Sequence, residues 1–254
     1  MQHAIPPMMR PMIRMAAFGA GLAGLVALWA FAAQQNLPAI LPGPLAVARA
    51  LLDLVQDAAF WRDALLPSLG RAAAGLGLAK ALGAPLGLVG WHLPLVSACL
   101  APARLILMGV PAPVLAILCI LWFDGGPITI VLCVCALLLP VFQIAVAEGL
   151  SAIDPQLAEM ARVFRLPLRR CLRWIIWPAL WTALGPALRV AMANALRVSL
   201  LTELLSGTPG LGAEVQAAQS WLQTDRLFAL VLVILALIGL IEAALSAIAG
   251  RRRP

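Results

Sequence analysis

Residues 127–147, PITIVLCVCALLLPVFQIAVA, hold no charged side chain, and comparable apolar stretches recur at 15–33, 65–90, 95–123, 178–204 and 227–249. A helix needs about 20 apolar residues to cross a hydrocarbon core about 30 Å thick, and each stretch meets or nearly meets that length. In lipid every backbone amide must be satisfied within its own segment, which leaves the helix as the spanning structure. Composition agrees: 63% of the 254 residues are hydrophobic and 11% are charged, against about 25% charged in soluble domains. The chain is therefore read as an all-α membrane protein with about six transmembrane helices.

Charge sets the orientation. The net charge of +7 comes almost wholly from arginine, clustered at span ends. Placing the N-terminus in the cytoplasm puts Arg10, Arg14, Arg162, Arg165, Arg169, Arg170, Arg173 and Arg251 to Arg253 inside. Only Arg49, Arg62 and Arg226 then remain outside. The positive-inside rule selects this arrangement, with both termini cytoplasmic, and it accounts for the cations without nucleic acid. The first apolar stretch has the outline of a cleavable signal segment, but its length favours a retained span.

Segment 43–62, GPLAVARALLDLVQDAAFWR, differs from the spans. Leu45, Ala48, Leu52 and Val55 recur at helical spacing opposite Arg49, Asp53 and Gln56, which predicts an amphipathic helix lying on the outer membrane surface. In 75–90, Gly75, Gly77, Gly83, Gly87 and Gly90 would let neighbouring helices approach closely. In the stretch 109–123, GVPAPVLAILCILWF, Pro111 and Pro113 each remove a backbone donor. A break at membrane depth is tolerated only against protein or a wet cavity, so this span is expected to line a pathway.

Residues 154–178, DPQLAEMARVFRLPLRRCLRWIIWP, interrupt the apolar pattern with five arginines and one glutamate. Asp154 is placed to cap a helix whose first position is Pro155. Leu157, Met160 and Phe164 share one face, away from Glu159 and Arg162. Pro167 then restarts a second helix, with Leu168, Cys171, Leu172, Ile175 and Ile176 opposite Arg169, Arg170 and Arg173. The residues alone allow two readings. The pair lies among lipid headgroups held by its arginines, or it is presented to a cytoplasmic protein. Glu159 gains nothing at an anionic leaflet, although Arg162 is within i,i+3 reach of it.

This segment resembles the EAA loop of bacterial ABC-importer permeases: Glu159, Ala161, Ile175 and Pro178 fall in register with it. The likeness extends over about 38–250, through LPAILPGPLAVARAL, SLGRAAAGLGLAKALGAPLGL, ILWF, GLSAIDPQLAEMAR, PALRVAMA and LLTELLSGTPGLGAEV, each similar to permeases for nitrate, sulfonate, taurine, bicarbonate and related solutes. The resemblance implies a MetI-like importer permease core over 65–249 with its coupling loop at 148–177. It also implies an N-terminal span and periplasmic helix over 1–64 and a cytoplasmic tail at 250–254. A separate ATPase would dock on Glu159, Ala161, Arg162, Arg165, Leu166, Pro167, Arg169 and Arg170. Arg165, Met160 and Trp177 depart from the family's glycine, alanine and leucine. A left-handed turn suits glycine and strains arginine, so either the turn differs or Arg165 makes a contact of its own.

The resemblance further implies two copies of the chain, two ATPase subunits holding ATP and Mg, a periplasmic binding protein, and a bacterial inner-membrane setting with surrounding lipid. No cofactor or metal is expected on this chain. It lacks a P-loop lysine: GTPGLG at 207–212 has no Lys-Ser/Thr after it and is expected to face outward. Its histidines, His3 and His92, and the lack of a nucleophile elbow leave an intramembrane hydrolase little to work with. A secondary carrier would need inverted repeats or an acid relay, and neither is visible. Charges within spans, here Arg71, Lys80, Arg104, Arg189, Arg197 and Glu203, are functional candidates by default. Arg104 lies about 14 Å into the third span at 1.5 Å per residue. Arg104, Pro111, Pro113, Asn194, Arg197 and Glu203 are expected along the pathway, where Asn194 and Arg197 share a helical face and would offer donors to an anion. Arg71 and Arg189 are expected in structural roles, and Arg197 paired with Glu203 is the alternative to an anion contact. The five cysteines read as small hydrophobes in packed helices.

Overall fold

The structure, a computed structural model, describes residues 9–250, and side chains for 17–246 apart from Ala158 and Leu168. The tail Arg251–Pro254 lies outside the described residues. Helices are α1 (Met9–Gln34), α2 (Pro44–Gln56), α3 (Leu66–His92), α4 (Pro94–Gly109), α5 (Ala112–Phe123), α6 (Gly126–Ser151), α7 (Pro155–Val163), α8 (Leu168–Cys171), α9 (Trp177–Ser206), α10 (Leu211–Ser220) and α11 (Thr224–Gly250). A π-helical turn, Phe60–Leu65, leads into α3, and another, Leu172–Ile176, leads from α8 into α9. Among the described residues there is no strand. Five helical segments are long and apolar enough to span a membrane, and α4 with α5 would make a sixth as a bent pair.

The contacts divide the chain into two compact units. One is drawn from the chain up to Asp57 and from Ala217–Val233; the other is drawn from Ala58–Gln216 and the chain from Ile234 on. In the first, Trp29 of α1 stacks on Phe228 of α11 with ring centroids 5.9 Å apart, and Thr224 Oγ1 donates to the Pro38 carbonyl. Here α2 is shorter than in the sequence reading. It ends at Gln56, not 62, and buries Val47 and Leu54, while Leu45, Leu52 and Val55 of the anticipated stripe stay exposed. The helix has two apolar faces. The stripe that periodicity picks out is the one its own unit leaves uncovered.

The larger unit is built around α6, whose apolar residues run all round the helix, as expected for a buried one. Ile130, Cys133, Val134 and Phe142 have no exposure. Close approach of α3 depends on glycine. A Cβ at Gly75 would fall 2.6 Å from Val134 Cβ, and one at Gly83 would fall 2.5 Å from the Leu139 carbonyl oxygen. Gly87 abuts Gln143 and Val146 in the same way, whereas Gly77 faces open space. Only part of the glycine run is therefore an interface, and that part lies on one face.

The third apolar stretch is not one straight span. α4 stops at Gly109 and α5 begins at Ala112, with an angle of 106° between them. The residue before a proline is pushed from helical into extended backbone, and Val110, before Pro111, sits at φ −76°, ψ 126°. Pro113 breaks nothing. It lies in the first turn of α5, where its missing donor has no intrahelical partner to lose. The break has one proline at its origin, not two.

Candidate functional site: a cationic loop, a buried carboxylate brace and a charged cavity

The cationic segment begins as its residues require. Asp154 Oδ1 accepts from Gln156 N–H at 2.8 Å and Pro155 opens α7. The helix closes with the Leu166 amide donating to Ala161 O at 2.9 Å and the Arg165 amide to Arg162 O at 3.1 Å. This pair of bonds defines a Schellman ending, which needs a left-handed residue after the cap. Arg165 fills that place with φ +45°. The turn is thus the one glycine would favour, and arginine adopts it. Arg165→Gly should stabilise this turn by about 1 kcal/mol, seen as slower hydrogen exchange at the 164–166 amides.

Beyond Pro167 the second short helix proves to be no separate element. α8 passes through the π turn into α9, and the rod Arg169–Ser206 is unbroken. Cys171, Ile175 and Ile176 are half-buried, while Leu172 is exposed. An extra residue in a π turn rotates the helix beyond it, which separates Leu172 from the stripe that a uniform helical period assigns it to.

The loop's outer surface carries mixed chemistry. Val163 is 78% exposed, and Phe164 and Trp174 are 73% exposed. Glu159, Arg162, Arg165, Pro167, Arg169 and Arg170 are exposed, and Ala161 and Leu166 are half-buried. Among the described residues Glu159 has no ion-pair partner, Arg162 included. Arg173 lies over the Trp174 ring, 5.9 Å from its centroid. An apolar patch set among unpaired charges is the chemistry of a surface that meets either another protein or a membrane.

The anticipated pathway residues do not form one cluster. Arg104 is half-buried on α4, Pro111 and Pro113 are exposed at the α4–α5 break, and Arg197 is exposed on α9 beside half-buried Asn194. Arg197 Nη1 donates to Asn194 Oδ1 at 3.4 Å. The alternative of Arg197 paired with Glu203 does not occur. Glu203, with 0% exposure, is engaged by a different set of donors.

Arg71 Nη1 donates to Glu203 Oε1 at 2.8 Å and to the Pro209 carbonyl at 2.7 Å. Ser68 Oγ donates to Oε2 at 2.7 Å and the Gly212 amide does so at 3.1 Å. The Leu211 amide in turn donates to Ser68 Oγ at 2.9 Å. Both carboxylate oxygens are therefore occupied, and α3, the end of α9 and the following loop are tied together. GTPGLG is explained by this brace. Gly207 ends α9 at φ +67°, and a Cβ on Gly210 would lie 2.6 Å from Glu203 Oε2. The glycines bring backbone to a carboxylate of the chain itself, not to a phosphate.

A family described as the inner membrane component of binding-protein-dependent transport systems matches residues 81–254. The chain belongs to this family. Among the permease's relatives is the taurine transport system permease protein TauC of Escherichia coli K12, 29% identical over 241 residues, or 92% of this chain and 87% of the relative. Another is a putative aliphatic sulfonates transport permease protein, SsuC, of Bacillus subtilis 168, 25% identical over 201 residues, or 79% and 72%. An inward-facing MetNI methionine ABC transporter shares the fold with a TM-score of 0.63 at 15% identity, over 78% of this chain and all of the other. An amino acid ABC transporter shares it with a TM-score of 0.58 at 18% identity, over 72% and 88%.

Two features of the permease escape a reading of the sequence. Ser68 and Arg71 lie one turn apart on α3, but their partner is more than 130 residues away. The other is a cavity of about 620 Å³ lined by residues of α3, α6, α9 and α11, Lys80 and Arg189 among them. The available signal is that Lys80 is the single lysine of the chain and lies in mid-span.

Proposed function

We propose that this permease is the membrane-spanning subunit of an ATP-driven importer in the bacterial inner membrane, with both termini in the cytoplasm. Two copies enclose the pathway and a periplasmic binding protein delivers the solute from outside. Two ATPase subunits, holding ATP and Mg, grip the loop around Glu159. The chain performs no chemistry itself. Closure of the ATPases favours one arrangement of the coupling loops, and so biases which side of the membrane the pathway opens to. The solute is a small oxyanion-bearing molecule of the nitrate, sulfonate, taurine or bicarbonate kind, and taurine and aliphatic sulfonates are the solutes named for two of its relatives.

The observation that carries the reading is the loop surface, where exposed Val163 and Phe164 adjoin an unpaired Glu159. A helix resting on lipid would turn such side chains to one apolar side and keep carboxylates off an anionic leaflet. The test is purification of the full-length permease in mild detergent from cells expressing its transport system. A nucleotide-hydrolysing subunit is expected to copurify, and uptake into proteoliposomes should require it. Undiminished uptake with no ATPase present would replace this reading with a secondary carrier.

A further inference from the structure

The cationic loop and the buried brace lie at opposite ends of one rod. From the loop, the helix runs through the π turn and past Pro186 to Ser206. Its 38 residues, Arg169–Ser206, span about 57 Å at 1.5 Å per residue. The rod is held along its length. Toward the loop, a Cβ at Gly149 of α6 would fall 2.6 Å from Ala183 Cβ, so the two helices meet in close contact. Further along, Ala191 and Ala195 are buried in the core around α6. Glu203, one turn before the far end, is bonded to Ser68 and Arg71 of α3.

What the brace holds is the start of α10. A helix leaves its first amides without an internal acceptor, and a side chain just ahead of it ordinarily supplies one. The residue ahead of α10 is Gly210, which has no side chain to offer. The Leu211 amide donates instead to Ser68 Oγ, and the Gly212 amide to Glu203 Oε2. Arg71 secures the Pro209 carbonyl just before them. The first turn of α10 is thus capped by α3 and α9, through Ser68 and Glu203 side chains that are both fully buried. It cannot move relative to either helix without breaking charge-assisted bonds in a site closed to water.

We propose that Ser68, Arg71 and Glu203 are positioning residues that relay the state of the ATPases to the first turn of α10. The inference rests on the importer reading above and adds a destination for the motion that starts at the cationic loop. A displacement of α9 carries Glu203 with it, and the bonds from Glu203 and Ser68 oblige Gly212 and Leu211 to follow. Coupling over such a distance needs a contiguous chain of packed and bonded groups, and the rod with its brace is one. Without the brace, α10 would hang from α9 by residues 207–210 alone. Two of those four are glycine, whose backbone freedom would absorb the movement. A brace that merely keeps this loop folded would act equally in every nucleotide state, and that contrast supplies the test.

Hydrogen exchange read by mass spectrometry tests the relay without knowledge of the solute. The sample is the full-length permease with its copurified ATPase in nanodiscs, compared with and without ATP and vanadate. In the wild type, nucleotide is expected to change exchange both at 159–166 and at 207–216. Ser68→Ala removes one cap and leaves the Arg71–Glu203 pair in place, so the fold should survive. It should speed exchange at 207–216 about five-fold in both states, the scale of one lost hydrogen bond. Labelling times are chosen so that the loop is only partly exchanged. Ser68→Ala and Glu203→Gln should keep the nucleotide response at 159–166 and lose most of it at 207–216. If Glu203→Gln does not assemble, Ser68→Ala decides alone. A wild-type response confined to 159–166 overturns the relay and leaves the importer reading standing. So does a response at 207–216 that persists undiminished in Ser68→Ala, which would reduce the brace to a local fold element. If no ATPase copurifies with the wild type, the importer reading falls and the relay falls with it.

Discussion

Replacing Arg71 by methionine is expected to destabilise the permease by roughly 3–5 kcal/mol, the cost of leaving a buried carboxylate without its cation. Glu203 has no exposure and the Arg71 side chain retains 13%, so water cannot take the place of the guanidinium. The loss should be local in its first expression. Arg71 also holds the Pro209 carbonyl, and Glu203 holds the Gly212 amide, so the loop after α9 should become the earliest site of proteolysis. Glu203→Gln should cost less, because an amide oxygen still accepts from Ser68 or Gly212. Arg71→Met combined with Glu203→Gln should recover part of the single Arg71 loss, since no unpaired charge remains in the core. Chemical denaturation in detergent measures all three variants. Additive effects of the two substitutions would show that the pair is not coupled and that the brace does not hold this end of the bundle.

The brace also shows why some features are legible in the sequence and others are not. Local chemistry reads correctly: Asp154 and Pro155 start α7 because a cap and a first-turn proline act within three residues of each other. Long apolar runs mark the spans for a similar reason, since bilayer thickness is the same constraint for each. Errors arise where a neighbour decides the outcome. The segment 43–62 reads as a single helix, yet α2 stops at Gln56 and a π turn over Phe60–Leu65 leads into α3 instead. Pro113 looks like a second break only until Pro111 has ended α4, after which it stands in the first turn of a new helix. Glu203 is visible as a charge within a span, but Arg71 and Ser68 lie on a helix whose side-by-side packing with α9 no local pattern encodes.

Charge reversal at the coupling loop separates its two readings by the sign of the effect. If the loop is gripped by an ATPase, Glu159→Lys places like charge against whatever basic groups receive it. That should lower copurification and uptake by an order of magnitude or more, since truncating one partner of a docked charge pair costs about 2–5 kcal/mol. If the loop rests on lipid, the same substitution adds a cation near an anionic leaflet, worth about 1 kcal/mol of extra attraction, and should leave uptake intact. Phe164→Ala supplies the second arm. An aromatic side chain with 73% of its surface free contributes little to the isolated chain's fold. As an interface anchor it would be worth about 2 kcal/mol or more, or some thirty-fold in affinity. Loss of the ATPase from both variants, with unchanged thermal stability of the permease alone, locates the grip on α7 and its Schellman turn. Retention by Glu159→Lys with loss from Phe164→Ala would move it to the apolar patch. Retention by both would remove α7 from the interface and shift the search to the arginines beyond Pro167.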